Sequence, residues 1–156
     1  MRAAECGGKV AFDGNYRATL WDDVDAARRA RDAAIAFCEF GLPTLDDEHA
    51  MDGPADAEEV AARWKRAGAQ EVVVKLGSEG CFTAEGVVAP LKPLEPLDTT
   101  GAGDAFNAGY LYARLQQQAV IAAAEAGHRL AAWTLMQQGG IPPVTPDAPY
   151  GRLKAF

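Results

Sequence analysis

The chain has 156 residues, 49% hydrophobic and 24% charged, with 16 glycines and 9 prolines, which is the composition of one ordinary folded domain over residues 1–156 and excludes a disordered or fibrous chain. Fifteen basic against twenty-two acidic residues give a net charge of −7, which repels a phosphate backbone and argues against nucleic acid as a partner. Cys6, Cys38 and Cys81 are odd in number and lack C-x-x-C spacing, so neither a zinc site nor a complete disulfide framework is expected.

Arg2–Glu5 reads as the tail of a helix, Gly7-Gly8 as its stop, and Lys9–Phe12 as a short buried strand. This opening contains Arg2 and Glu5 where a signal peptide has an apolar segment, and no stretch is apolar for long enough to span a bilayer. A cytoplasmic location without membrane contact is the expectation. Asp13-Gly14-Asn15 makes a turn. Asp22 or Asp23 then caps a helix through Val24, Ala27, Ala34 and Ile35, with Arg28, Arg29, Arg31 and Asp32 expected on solvated faces. A second strand is expected near Phe37–Leu42.

Thr44-x-x-Asp47 has capping-box spacing and starts a short helix through Ala50 and Met51. Asp56 caps the next helix, whose inner stripe is Val60, Ala61 and Trp64 and whose stop is Gly68. Glu71–Leu76 is an uninterrupted β-branched run, the pattern of a strand buried on both faces of a parallel sheet. The alternation of strands and helices is the βαβ rhythm of an α/β fold. Gly77–Gly80 reads as a turn, Cys81–Thr83 and Val87–Ala89 as a hairpin, and the stretch holding Pro90, Pro93 and Pro96 as a connector. Two helices follow: one from Gly101 to about Leu115 with Ala105, Phe106, Gly109, Leu111 and Tyr112 facing inward, and a small-residue-rich one from Ala119 to about Gln138.

The segment richest in chemistry is D-T-T-G-A-G-D, Asp98–Asp104, which lies after the proline-bounded connector and directly before an apolar helix. Small residues at Gly101, Ala102 and Gly103 let backbone N–H groups approach a ligand, and at a helix start those amides lack intrahelical acceptors. Such donors suit a transferring phosphoryl group, and Asp104 could accept the proton of an attacking hydroxyl. The plainer alternative has Thr99 or Thr100 capping the helix and Asp104 complementing its dipole. No Walker loop is present.

The full string Asp98–Asp104 resembles the signature of the ribokinase-like, PfkB-type carbohydrate kinases. That resemblance implies a three-layer α/β/α sandwich with a mainly parallel sheet, and, since relatives are about twice this long, a chain without their N-terminal half and lid. It implies ATP and Mg2+ as cofactors and a small sugar or sugar acid as the other partner. Asp104 becomes the general base at the substrate hydroxyl, and the amides of Gly101, Ala102, Gly103 and Asp104 the cradle of the γ-phosphate. Asp98 and Thr100 would line a monovalent-cation site, taken by K+.

Further segments extend the likeness. Lys75-Leu-Gly-Ser-Glu-Gly80 is similar to the family's nucleotide loop, which makes Gly77, Ser78 and Gly80 nucleotide-binding candidates; read alone it is a turn. Gly127-His128 through Gly139-Gly140-Ile141-Pro142 resembles the helix and loop that pack on adenine, so His128 is either a contact to the base or a partly buried structural histidine. Val10–Arg17 followed by Leu20-Trp21 is similar to the F-D-x-N-x-R…L-W segment of the 2-keto-3-deoxygluconate kinases, which implies Arg17 at the acidic sugar, where a rigid guanidinium fork suits a carboxylate; read alone, Arg17 is a solvated loop charge. Leu42–Glu48 looks like the same subgroup. Where other members carry N-x-x-E, this chain has Leu45 and Glu48, so Glu48 would organise magnesium only through water. Two functions from different classes follow: ATP-dependent phosphorylation of a sugar hydroxyl, with 2-keto-3-deoxygluconate going to its 6-phosphate, or a noncatalytic nucleotide-binding or oligomerisation module. Oligomeric state is open on the sequence.

Overall fold

The computed structural model describes residues 2–92, 94–143, 145–146 and 148–149, with the side chains of Arg2 and Ala4 left aside. Pro93 of the expected connector lies outside the described residues. The chain forms two compact units, one running to Gly77 and including Cys81–Gly86, the other made of Ser78–Gly80 and the chain from Val87 onward.

The first unit begins with helix α1, Arg2–Glu5, and strand β1, Ala11–Phe12. Helix α2, Val24–Ile35, strand β2, Phe40–Gly41, helix α3, Leu45–Asp52, and helix α4, Ala57–Ala67, follow. Strands β3, Glu71–Val72, β4, Val74–Lys75, and β5, Cys81–Thr83, complete the unit. β1, β2 and β3 form a parallel sheet in that order, with Ala11 opposite Phe40 and Phe40 opposite Glu71. Helices alternating with parallel strands make this an α/β fold, the class expected from the sequence.

The run Glu71–Leu76 is divided at Val73 into β3 and β4, a departure from one unbroken strand. Its backbone nevertheless keeps a strand's period: the amides of Glu71, Val73 and Lys75 donate to the carbonyls of Glu39, Gly41 and Pro43. Val72, Val73, Val74 and Lys75 are all buried. β4 differs in also taking an antiparallel partner, β5, with Lys75 opposite Cys81. β1 is shorter and wetter than the expected buried strand. Ala11 is exposed and Phe12 half-buried, because β1 stands at the end of the strand order.

Local signals explain the helices. The Asp23 carboxylate accepts the Ala26 N–H at 2.6 Å and starts α2. Asp56 caps α4 in a full capping box with Glu59, and Gly68 ends it with a positive φ of 126°. α4 buries Val60, Ala61 and Trp64, as its pattern predicts. Trp64 is completely buried and stacks on Phe12 with ring centroids 5.7 Å apart. Gly41 makes the room: a Cβ there would lie 2.7 Å from Trp64 Cε3.

In two places the structure differs from what the sequence predicts. Arg31 is not on a solvated face but 6% exposed, because the Glu48 and Asp52 carboxylates of α3 pair with it at 3.1 and 2.6 Å. Thr44 is the N-cap of α3, but its side chain makes no capping bond, and Asp47 does not complete a box. The Asp47 carboxylate instead accepts the N–H of Tyr16, 31 residues earlier, at 3.1 Å.

In the second unit, strand β6, Gly86–Val88, leads out of the first, and helices α5, Ala102–Leu115, and α6, Val120–Leu135, pack on each other. Small residues permit that approach. A Cβ at Gly109 would lie 2.6 Å from the Ala126 carbonyl oxygen, and one at Gly127 would lie 2.8 Å from the Phe106 ring. The buried face of α5 is Phe106, Asn107, Gly109, Tyr110 and Ala113, so Tyr110 takes the inward place expected for Leu111 and Tyr112. Among the described residues, no helix is long and apolar enough to cross a membrane.

Candidate functional site

The segment Asp98–Asp104 becomes a tight loop opening α5. Gly101 is the N-cap residue in the left-handed conformation, φ 77°, which glycine adopts without a steric penalty. The expected alternative, a threonine cap, is not realised: no side chain caps α5. The first-turn amides of Ala102, Gly103 and Asp104 thus lie where a helix presents partial positive charge. Gly103 and the Asp104 side chain are exposed, with Asp104 in the first turn.

The loop is braced from within its own unit. Asp98 uses both carboxylate oxygens, accepting the Thr100 N–H at 2.8 Å and the Gly139 N–H at 2.9 Å. Hydrogen bonds from the Thr100 side chain, the Thr100 amide and the Gly139 amide hold its carboxyl below the ordinary value. The amides of Leu97 and Asp98 both donate to the Leu135 carbonyl, at 2.8 and 3.3 Å, which joins the loop to the end of α6. Gly101 lies so close to Gly140 that a Cβ would stand 2.7 Å from the Gly140 oxygen. Asp98, Thr100, Gly101 and the Gly139-Gly140 turn are therefore brought together. Asp98 offers hard carboxylate oxygen, the donor class of a potassium or magnesium ion. Among the described residues, no three His, Cys, Asp or Glu side chains gather as a metal cage.

The Gly77–Glu79 segment forms one turn of 3-10 helix directly after β4. Gly80, φ 102°, has no room for a side chain, since a Cβ would lie 2.2 Å from the Val88 carbonyl oxygen. His128 sits on the buried face of α6, 8% exposed, with Nε2 at 3.0 Å from that same Val88 oxygen and its ring 5.1 Å from that of Phe106. Burial, opposed by the Val88 hydrogen bond and the Glu125 charge, lowers its pKa from 6.5, so the neutral ring donates from Nε2.

In the first unit, Arg17 and Glu48 occupy very different surroundings. Arg17 is more than half exposed on the segment after Asp13; its Nη1 donates to the Tyr16 carbonyl at 2.6 Å and lies 3.6 Å from Asp47 Oδ1. Lys75, nearly buried at the end of β4, pairs with Asp13, whose other oxygen accepts the Asn15 N–H at 3.1 Å. Burial raises the Asp47 carboxyl above its ordinary value, opposed by Arg17, the Tyr16 amide and Lys75 and reinforced by Asp13. Glu48, by contrast, is 1% exposed, and its Oε2 accepts from Arg31 at 3.1 Å and Arg63 at 2.8 Å. Two guanidinium groups pair with that one oxygen, which makes Glu48 the centre of a buried ion-pair network.

Sequence reasoning missed three residues around these groups. The sequence puts Asp47 at capping-box spacing and Lys75 at the end of a β-branched run with no partner in view, and it gives Arg63 no distinguishing mark. The signal for Lys75 was present, since a lysine ending a buried β-branched run requires a buried counter-charge.

The sequence pattern of the pfkB family carbohydrate kinases matches residues 1–148. The chain is 39% identical over 144 residues to 2-dehydro-3-deoxygluconokinase of Escherichia coli strain K12, covering 88% of this chain and 47% of that protein. A crystal structure of a PfkB protein from Polaromonas sp. JS666 matches with a TM-score of 0.73 and 30% identity over 86% of this chain and 45% of that one. A fructokinase double mutant from Vibrio cholerae O395, in a fructose, ADP and potassium ion bound form, matches with a TM-score of 0.80 and 25% identity over 99% of this chain and 52% of that one. The chain thus spans about half the length of the relatives it matches. These likenesses carry the ribokinase-like fold, and the chain belongs to the pfkB family of carbohydrate kinases.

Proposed function

We propose that this chain carries the nucleotide-binding and phosphoryl-transfer part of an ATP-dependent sugar kinase, and that 2-dehydro-3-deoxygluconate, the 2-keto-3-deoxy acid, is its substrate. Residues 1–156 act together in that part, in the cytoplasm. The observation that carries the reading is the start of α5: an exposed Asp104 carboxylate in the first turn of a helix that opens on a left-handed Gly101 without a side-chain cap.

In this reading the substrate's terminal hydroxyl oxygen attacks the γ-phosphorus of ATP. The bond to the oxygen bridging the β and γ phosphates breaks, ADP leaves, and the hydroxyl proton passes to Asp104. The amides of Gly101, Ala102, Gly103 and Asp104 stabilise charge on the transferring group, a role that needs donors fixed in advance. Asp98 supports this loop and, with Thr100, is the proposed holder of a potassium ion. Magnesium bound with the nucleotide would supply charge neutralisation. Gly77, Ser78 and Gly80 receive the nucleotide on backbone groups, and His128 supports that loop by fixing the Val88 carbonyl against which Gly80 packs. Arg17 orients the sugar acid through its carboxylate. The 39% identity to an Escherichia coli 2-dehydro-3-deoxygluconokinase supports the substrate.

Coupled ADP release with magnesium-ATP and 2-dehydro-3-deoxygluconate, beside calorimetric titration with ATP, tests the reading. Sugar-dependent ADP release is expected, and Asp104→Asn should lower it by about 10²–10⁴-fold, the range for losing a general base, while ATP still binds. Near-normal turnover in that variant would overturn the base assignment. Nucleotide binding without sugar-dependent release would favour the noncatalytic module.

A further inference from the structure

Arg17 is a poor anchor by itself. Its side chain is more than half exposed, and it ends an irregular stretch that includes Asn15, a non-glycine residue at a positive φ of 39°, directly before a single 3-10 turn, Ala18–Leu20, whose Leu20 N–H donates to the Arg17 carbonyl at 2.9 Å. An arginine that recognises a carboxylate works by presenting its fork in one direction, so something must hold the backbone beneath it. Asp13 and Lys75 hold the start of the segment, through their ion pair and through the bond from the Asn15 N–H to Asp13. At its end, the only side chain that the Tyr16 amide is seen to meet among the described residues is Asp47.

Asp47 is built for this. It stands in the first turn of α3, and its side chain is 21% exposed against 57% for Arg17. One oxygen takes the Tyr16 N–H at 3.1 Å; the other lies 3.6 Å from the Arg17 guanidinium, beyond hydrogen-bond length. The backbone is therefore bonded while the guanidinium is attracted without being occupied. Among the described residues no hydrogen bond engages its second terminal nitrogen or Nε, and Nη1 is turned back onto the Tyr16 carbonyl.

We infer that Asp47 is the positioning residue for Arg17: it fixes the Tyr16–Arg17 backbone so that the guanidinium meets the carboxylate of a sugar acid, and it thereby contributes to selection of acidic over neutral sugars. This rests on the reading of Arg17 as the sugar-acid contact. It predicts a pattern that loss of stability alone would not produce. Asparagine keeps an acceptor for the Tyr16 N–H, whereas alanine removes it.

The test is calorimetric titration of the chain and its variants with 2-dehydro-3-deoxygluconate and, separately, with fructose, together with hydrogen exchange at the Tyr16 amide. Asp47→Ala should weaken the sugar acid by about 10-fold with little effect on fructose, and Asp47→Asn should stay within about 3-fold of the parent; in an Arg17→Ala background Asp47→Ala should add less than about 2-fold, because coupled residues are not additive. Tyr16 exchange should accelerate in Asp47→Ala and not in Asp47→Asn. Equal weakening of both sugars, or full additivity with Arg17→Ala, would overturn the inference. If the parent chain takes up no sugar acid, the substrate reading fails. The positioning claim is then decided by the exchange data, and unchanged Tyr16 exchange in Asp47→Ala would refute it.

Discussion

The two units solve the problem of bringing helices together in opposite ways. In the first, α2, α3 and α4 are joined by charge: Arg31 and Arg63 share Glu48 and Asp52 at 2.6–3.2 Å, and Arg28 adds a bond to Asp52 at 2.9 Å. In the second, α5 and α6 approach by leaving side chains out, at Gly109 and Gly127. Charged packing depends on every partner being present, since a buried ion left alone is costly. Packing through glycine tolerates loss of charge but no added atom. The distinction follows the chemistry each unit is proposed to support. The charged unit holds the Arg17 segment, and the close-packed unit holds the loop at which phosphate charge would be handled.

The largest effect should come from breaking the charged unit. Glu48→Ala leaves the buried Arg31 with Asp52 and the exposed Asp32 and takes from Arg63 its partner at 2.8 Å; it should cost about 3–5 kcal/mol, the cost of removing one partner from a buried pair, measured by denaturant unfolding. Comparable stability in the variant would mean that the network adds little. Adding one carbon to the other unit should cost less: Gly109→Ala forces a Cβ against the Ala126 carbonyl and should destabilise by about 1–3 kcal/mol, with faster exchange of α5 and α6 amides. Removing a surface cap should cost least of the three, about 1 kcal/mol for Asp23→Ala at the start of α2.

Acid should separate the units as well. His128 has its pKa lowered by burial from 6.5, so the stability it contributes is fully present above about pH 6.5 and is lost as pH falls through its folded value. Burial pushes Asp52 up, but bonds and charges from Arg31, Arg63 and Arg28 outweigh it and leave the carboxyl below 3.8; its contribution therefore persists until pH drops into the acid carboxylate range. Amide exchange followed from pH 7 to pH 3 should show α6 loosening before α2 and α3. The reverse order would contradict the contrast between the two packings.

Much of this was legible in the chain. The α/β rhythm, the helix starts at Asp23 and Asp56, the stop at Gly68 and the helix opened by Gly101 all follow from local signals, because caps and glycine conformations act over a few residues. The resemblance carried by Asp98–Asp104 and by Val10–Arg17 identified the family that the match over residues 1–148 establishes. What stayed hidden depends on contacts between distant residues. Arg31 looked solvated because its partners lie 17 and 21 positions away, and Asp47 looked like a cap because its bond to Tyr16 spans 31 residues. Gly41 gave no local sign of the Trp64 ring it admits.

The most direct test of the central claim, that the start of α5 is where phosphate is handled, is titration of the isotopically labelled chain with magnesium-ATP while amide resonances are followed. The largest shifts are expected at Gly101, Ala102, Gly103 and Asp104, with a second set at Ser78–Gly80. Saturable shifts confined to other amides, with Gly101–Asp104 unmoved, would contradict it.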